Sequence, residues 1–437
     1  MKRILACLLS LVMIIGLFTG CSTTPEVLKV AALASGYEET GPGMWQEICD
    51  AFTAETGIQV ELTLEKNIED VISASMQGGD YPDVVMLATG REAGLTEQFI
   101  KDKNLADLTA VLDMTIPGED KKVSEKIAGG FTESVTTNPY GDGKTYLMPM
   151  FYSPCGLFYN AGLFESKGWS VPKTWDEMWE LGDKAKKEGI ALFTYPTTGY
   201  FDSFFASLLY SVGGAEFFNK VTNYEKGIWE TEEGKLTIDI LAKLATYTNS
   251  KTPSQANDQD FSKNQLMVMQ NEALFMPNGT WVVGEMADAV AADGFKWGMT
   301  ALPAVKEGGD AYAFTWMEQI WVPKEAKRVD DAKKFISFLY GDKSCGIFAK
   351  RNAAQPVIGI ADMLSEENKL FYSIYDSGAK AAMGNFAAYK SVAGLGTVAD
   401  HLFAPINSLV SGKLTKEQYT KDIIKATDTM RENLIAK

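Results

Sequence analysis

His401 is the only histidine in the chain, and this limits the chemistry the sequence supports. A histidine-rich zinc site cannot be assembled around one imidazole. A Ser-His-Asp triad would rest wholly on His401, which lies in the apolar, helical-looking stretch 398–403; a structural or surface role is expected for it. No Gly-x-Ser-x-Gly or Walker A motif occurs, and Gly394-Leu395-Gly396 lacks the third glycine and the preceding strand of a dinucleotide site. Asn257-Asp258-Gln259-Asp260 brings two carboxylates together, without the glycine and terminal glutamate of an EF-hand. No metal, no cofactor and no catalytic residue are therefore expected. Cys49, Cys155 and Cys345 each sit among apolar neighbours and form no Cys-x-x-Cys pair. Their odd number leaves at least one thiol free, and all three read as buried small hydrophobes.

The first residues carry a different chemistry. Met1-Lys2-Arg3 is a short positive segment, and residues 4–18 form an apolar run that ends at Thr19-Gly20-Cys21. A spanning helix needs about 20 apolar residues; a shorter run ending in small residues reads as a cleaved signal peptide, residues 1–20. The junction resembles a bacterial lipobox, with Phe18 where leucine is usual. That resemblance implies cleavage before Cys21 and its modification by fatty-acyl chains such as palmitate, with residues 21–26 as a tether. Two signals or chains suffice for stable anchoring without a spanning helix. Removing residues 1–20, with Lys2 and Arg3, leaves 417 residues and takes the formal charge from −16 to −18. That length permits two or three domains. The acidic balance argues against nucleic acid as a partner.

Along the body, apolar runs alternate with helical periodicity. Residues 27–33 read as a buried strand. Trp45, Ile48, Cys49 and Phe52 recur at helical spacing, closed by Gly57. Residues 58–64 alternate as a half-buried strand; Asn67 is expected to cap a helix over 68–77; residues 82–87 read as another strand. This alternation builds an α/β architecture with a mainly parallel sheet. Ligands in such sheets sit beyond the carboxyl ends of the strands, which draws attention to the loops Ser35–Glu39 and Ala88–Arg91. Residues 146–159 read as extended, with Pro149 and Pro154 interrupting. Thr174 and Glu177 have capping-box spacing. Asp202 is expected to cap a helix ending at Gly213-Gly214; residues 231–249 read as helical, 273–276 and 295–302 as strands, and Ile320-Trp321-Val322-Pro323 as a short strand. From Val329 the chain reads as mainly helical. Trp175, Trp179, Phe335 and Phe338 sit at helical spacing and read as core.

Seven blocks in order carry a resemblance: residues 52–60 (Phe-Thr-Ala-Glu-Thr-Gly-Ile-Gln-Val), Pro82-Asp83-Val84-Val85, residues 157–164, Pro172–Glu177, Asn278-Gly279-Thr280-Trp281, Ala301-Leu302-Pro303 and residues 332–339. Together, behind a lipobox, the chain resembles the extracellular solute-binding proteins of sugar ABC importers, the group that includes the maltose-binding protein. The resemblance implies a two-lobed, periplasmic-binding-protein-like α/β fold with the ligand cleft between lobes. Residues 27–152 and 303–342 would form the N-terminal lobe, and 153–302 and 343–437 the C-terminal lobe. Crossings are expected near Tyr152–Pro154, Pro303 and Gly341–Cys345. It further implies a monomeric, non-enzymatic, lipid-anchored protein outside the cytoplasm. Such a protein binds a di- or oligosaccharide, closes around it at a hinge and delivers it to permease subunits.

A sugar ring offers apolar C–H faces and an equator of hydroxyls, which aromatic rings and charged or amide groups complement. Aromatics make up 11% of the chain, many of them in or beside loops, which supports a carbohydrate independently of the family. The resemblance marks Tyr37, Glu38 and Glu39 after the first strand and Arg91 after the third; Gly90 stands where the maltose-binding relative carries an acid. It marks Tyr152 and Ser153 at the first crossing, Tyr200 and Phe201 as a stacking position, and Asn278 with Trp281 as an amide beside a ring. Trp316, Glu318, Asn352 and Gln355 complete the expected contacts. Two other readings remain open: the same fold serving a polyamine, peptide or metal, and a secreted glycosidase using a carboxylate pair such as Glu38 or Glu39 with Glu318. Residues 35–45 and 64–72 look similar to members associated with N-acetylglucosamine and chitobiose.

Overall fold

The computed structural model describes residues 27–34, 43–89, 91, 93–132, 134–197, 200–256, 261–390 and 392–434. The alternation at the start of the body is present as β1 (Leu28–Leu33), α1 (Met44–Thr56), β2 (Val60–Glu65), α2 (Ile68–Gln77) and β3 (Val84–Met86). β1 pairs parallel with both β2 and β3. α1 buries Met44, Trp45, Ile48, Cys49 and Phe52 on one face and stops at Gly57, whose φ of 76° is the left-handed conformation that glycine adopts without strain. Asn67 precedes α2 as expected, yet its side chain makes no capping bond.

After α3 (Leu95–Lys101) and α4 (Thr109–Asp113) comes β4 (Leu147–Asn160). Next in order are α5 (Ala161–Lys167), α6 (Trp175–Lys187), β5 (Ala191–Phe193), α7 (Phe201–Thr222), α8 (Glu232–Tyr247), α9 (Phe261–Met269), β6 (Ala273–Gly279), α10 (Val282–Glu285) and β7 (Trp297–Thr300). The chain continues through β8 (Tyr312–Trp321), α11 (Val329–Leu339), α12 (Asp342–Ala349), α13 (Glu366–Asp376), β9 (Lys380–Ala382), α14 (Ile406–Val410) and α15 (Lys416–Glu432). The sheet runs β2-β1-β3-β8-β4-β6-β5, with β7 on β4 and β9 on β8.

β4 and β8 are antiparallel partners that carry the sheet from one half of the molecule to the other. Leu147 of β4 faces Trp321 of β8, which also pairs with Val85 of β3. Eight residues along, Cys155 faces both Phe314 of β8 and Gly279 of β6. The expected crossing at Tyr152–Pro154 thus lies inside a continuous strand, whose irregularity falls between Pro149 and Tyr152, where a bulge tolerates proline. The other two crossings shift. Pro303 stays with the second half, its carbonyl accepting from Ser211 Oγ at 3.0 Å, and β8 makes the return. Gly341–Cys345 stays with the first half, because Phe348 of α12 packs edge-on against Trp45 at 5.4 Å. The chain then changes halves through α13 and β9. Strand crossings keep their backbone groups bonded, which loose connectors would not.

Other local expectations change in detail. α7 runs past Gly213-Gly214 to Thr222 across a kink: Gly214 has φ 67°, and a Cβ on Gly213 would collide with Phe217. Asp202 does not cap α7 from outside; it is the second residue of the helix and accepts from Ser203 N at 2.7 Å. Thr174 Oγ1 accepts from Glu177 N at 3.2 Å, but the Glu177 carboxylate takes Lys173 N at 2.7 Å rather than closing the box on Thr174. β8 is ten residues long, far more than Ile320–Pro323.

One face of the first half packs Leu28, Val30, Ala32, Met86 and Ile320 with α1; the other packs Ala31, Val85, Leu87, Leu147 and Trp321. The second half has its own core around Leu157, Phe204, Leu241, Phe275 and Ile423. Trp175, Trp179, Phe335 and Phe338 are buried. So are Cys49, Cys155 and Cys345, all free thiols; burial pushes Cys49 and Cys345 up to about 12.

Candidate functional site

β3 ends at Met86, and the loop that follows brings Thr89 and Arg91 to the carboxyl end of the sheet. Thr89 is tied to the crossing strand β8: its N–H donates to Gln319 Oε1 at 3.0 Å and its hydroxyl accepts from Gln319 Nε2 at 3.2 Å. Arg91 turns to α2, where its Nη2 donates to Glu69 Oε2 at 3.1 Å and its Nε to the other carboxylate oxygen. Glu69 is 6% exposed, and the bond to Arg91 holds its carboxyl below the usual range. Glu318 of β8 lies within the field of Arg91 but makes no bond to it; burial pushes its carboxyl up to about 7, with Arg91 opposing. Glu318 Oε2 is buried without a hydrogen-bond partner among the described residues.

The second half contributes aromatic rings. Trp281 is the residue just before α10, two positions after the end of β6, and lies over Gly279, where a Cβ would collide with the indole. Glycine is thus required at 279 by this close approach. Tyr200 sits 6.1 Å from Trp281 at an interplanar angle of 41°. The Tyr200 hydroxyl donates to Glu285 Oε1 at 2.9 Å, and Gln265 Nε2 donates to Glu285 Oε2 at 2.7 Å, so one carboxylate orients the pair. On β8, Trp316 is 42% exposed and stands edge-on to Phe314 at 5.1 Å. The Cys155 thiol behind it is raised by burial and by Asp202, with side-chain hydrogen bonds to Trp316 and Ser203 opposing.

A cavity of about 620 Å³ lies along this face. Thr89 and Thr136 line it from the first half, Trp316, Met317 and Gln319 from β8, and Asn385 and Phe386 from the segment after β9. Aromatic surface and side-chain hydroxyl and amide groups therefore meet between the halves, a composition suited to a polar ligand with apolar faces.

Several expected contacts are placed elsewhere. Tyr152 is 3% exposed and its ring packs on Phe131, Tyr372 and Tyr375. Phe201 is fully buried against Tyr195, Phe204 and Phe403. Gln355 is buried and its Nε2 donates to Leu339 O. These three are corrected to interior residues: an extended strand and a helix start each send part of their side chains inward. Asn278 is also buried, its Oδ1 accepting from Gly279 N at 2.8 Å, while Nδ2 has no partner among the described residues. Asn352 is exposed, has φ 59° and accepts from Asn368 Nδ2 at 3.0 Å. Ser153 is half-buried opposite Trp316. Tyr37, Glu38, Glu39, Gly90, Cys21 and the 257–260 acid pair lie outside the described residues. His401 Nε2 accepts from Gly396 N at 3.3 Å beside a separate pocket lined by Asp422 and Lys425.

Thr89, Thr136, Asn385 and Phe386 were not singled out from the sequence. Thr89 falls in the loop that was flagged; the others carry no local pattern. Asp202 was read only as a cap, yet it is half-buried and its carboxyl is raised by burial.

Among known proteins, the diacetylchitobiose-binding protein NgcE of Streptomyces coelicolor is 24% identical over 394 residues, covering 86% of this chain and 79% of that protein. Ligand-free RafE of Streptococcus pneumoniae superposes with a TM-score of 0.65 at 17% identity, covering 93% of this chain and 99% of RafE. RafE in complex with raffinose gives 0.53 at 17% identity, covering 93% and 100%. The model of one family, the bacterial extracellular solute-binding proteins, matches residues 47–358, and the chain belongs to that family.

Proposed function

We propose that this chain captures a carbohydrate, a di- or oligosaccharide, outside the cytoplasm and hands it to the permease of an ABC importer. The observation that carries the reading is the cavity wall itself. Exposed Trp316 offers an aromatic face beside Thr89, Thr136, Gln319 and Asn385, the combination that covers a sugar ring and bonds its equatorial hydroxyls. The Trp281–Tyr200 pair supplies a second aromatic surface from the other half. The relatives' saccharides, diacetylchitobiose and raffinose, are the first probes.

Residues 27–152 with the C-terminal part of β8, α11 and α12 act as one lobe, and residues 153–302 with Pro303 and the chain from β9 onward as the other. β4 and β8 serve as the hinge, and closure over the ligand presents a different surface to the permease. The better superposition on ligand-free than on raffinose-bound RafE supports an open cleft. The body acts as a monomer, without enzymatic activity, tethered through acylated Cys21.

A thermal-shift screen of the acyl-free body tests the central claim. A ligand that binds only the folded state raises its melting temperature, and diacetylchitobiose or raffinose is expected to do so. A shift with a polyamine or peptide and with no saccharide would overturn the assignment. Turnover of chromogenic glycosides would replace it with hydrolysis. Mass measurement of the membrane-extracted protein reads the acylation of Cys21.

A further inference from the structure

The wall of the cavity between the halves carries charge of one sign. Among the described residues that line it, Glu97 alone is charged; the others are hydroxyl, amide or apolar, with Phe314, Trp316 and Phe386 as the aromatic members. Glu97 is exposed in the first turn of α3. The inner face of that helix is fixed to the sheet: Thr96 Oγ1 donates to Leu87 O at 3.3 Å, and the Phe99 ring lies 4.8 Å from Trp321. Elements of the sheet layer thus carry the carboxylate at the cavity wall. No cation answers it there among the described lining residues. Arg91, on the loop before α3, directs Nε and Nη2 to Glu69 on α2, and neither residue lines the cavity. The formal charge of −16 on the whole chain adds to the negative potential. A carboxylate takes about four donors, so a bond within the protein leaves it capacity for a ligand. Aromatic faces favour the same sign of ligand, since a cation over a ring is attracted by its quadrupole.

We propose that Glu97 sets the charge selectivity of the cleft: a saccharide bearing a protonated amine pairs with its carboxylate beside the aromatic wall and binds ahead of the neutral, N-acetylated form, while uronates and sugar phosphates are rejected. This rests on the sugar-binding reading and narrows its substrate class. Neutral sugars still donate hydroxyls to Glu97, but a bond with charge on both partners is the stronger. An anionic sugar brings like charges together, and the wall offers no cation to pair it.

The test compares three disaccharides by calorimetry: diacetylchitobiose, the glucosamine disaccharide obtained by deacetylating it, and digalacturonate. At about pH 6, below the usual range of an amine, wild type should bind the glucosamine disaccharide about fivefold more tightly than diacetylchitobiose. That margin should shrink between about 20 mM and about 300 mM salt as the pair is screened. Digalacturonate should give no heat. In Glu97→Gln the margin should vanish while diacetylchitobiose loses about twofold, and in Glu97→Lys the order should reverse, with digalacturonate now bound. The wild-type comparisons stand without either variant, should one fold poorly. Equal binding of the amine and acetylated forms, binding of digalacturonate by wild type, or the same margin in Glu97→Gln would each overturn the proposal and leave the sugar reading intact. No saccharide binding to wild type, raffinose included, would sink the sugar reading and this ligand class together.

Discussion

Two clusters in this molecule have the same inventory, one cation and two carboxylic acids, and opposite bonding. In the first, Lys126 Nζ reaches Glu119 Oε2 at 3.0 Å and Asp342 Oδ1 at 2.6 Å. Burial works to lower the Lys126 pKa, but those two bonds outweigh it and leave it raised. The cluster joins the segment before β4 to the start of α12, and nothing in it is left open. In the second, among the described residues, Arg91 bonds Glu69 and Glu318 Oε2 is left without a partner. A closed cluster fastens two pieces of chain; an open one leaves a buried acid unsatisfied. Each would misread as an ordinary salt bridge if only residue types were compared.

Removing the cation separates the two most strongly. Arg91→Met strands Glu69, which is 6% exposed, and should cost about 3 kcal/mol of stability at neutral pH, read by urea denaturation. Because Arg91 holds Glu69 low, that contribution is present above the ordinary carboxylate range and is lost as pH falls through the folded value. The gap between variant and wild type should therefore close below about pH 4. Lys126→Met should cost less, about 1–2 kcal/mol, since the Asp342 side chain is 68% exposed and returns to water without its partner. It should leave ligand affinity unchanged; a loss of affinity would mean that the closed cluster also reaches the cleft.

The aromatic side of the cleft gives smaller and more local effects. Gly279→Ala puts a methyl into the space of the Trp281 ring, and should cost about 1–3 kcal/mol of stability as the indole is displaced and weaken saccharide binding about fivefold, by titration of tryptophan fluorescence. Tyr200→Phe removes the hydroxyl with its bonds to Glu285 and Trp281, leaving the ring, and should weaken binding about twofold to threefold. Equal losses of stability in both variants would mark the pair as core packing instead of a ligand surface.

The early α/β alternation was legible because periodicity is written locally: α1 buries the face set by Trp45, Ile48, Cys49 and Phe52. β8 was legible only at its end. Thr315, Glu318 and Gln319 interrupt its apolar pattern, and the strand exists because β3 and β4 flank it and bond its backbone. Tyr152 and Trp316 looked alike as aromatics near a crossing. One is enclosed by three rings from elsewhere in the chain and the other is exposed, a difference set mainly by Tyr372 and Tyr375, far away in sequence. Glu285 and Gln265, which orient Tyr200, show no signal in the sequence, since neither stands near it along the chain.

Residue types and spacing alone determined much. They leave His401 as the one residue any histidine-dependent chemistry could use and order the first strands and helices, while resemblance to known sequences is what marks Cys21, Arg91, Trp281, Trp316 and Glu318. Only the tertiary structure decided which acid Arg91 would pair with. Glu69 has the geometry for two hydrogen bonds and Glu318 has only the field of the same charge. The ionisation of a carboxyl depends on desolvation and on the position of its partner in space, and neither is a property of the residue's place in the chain.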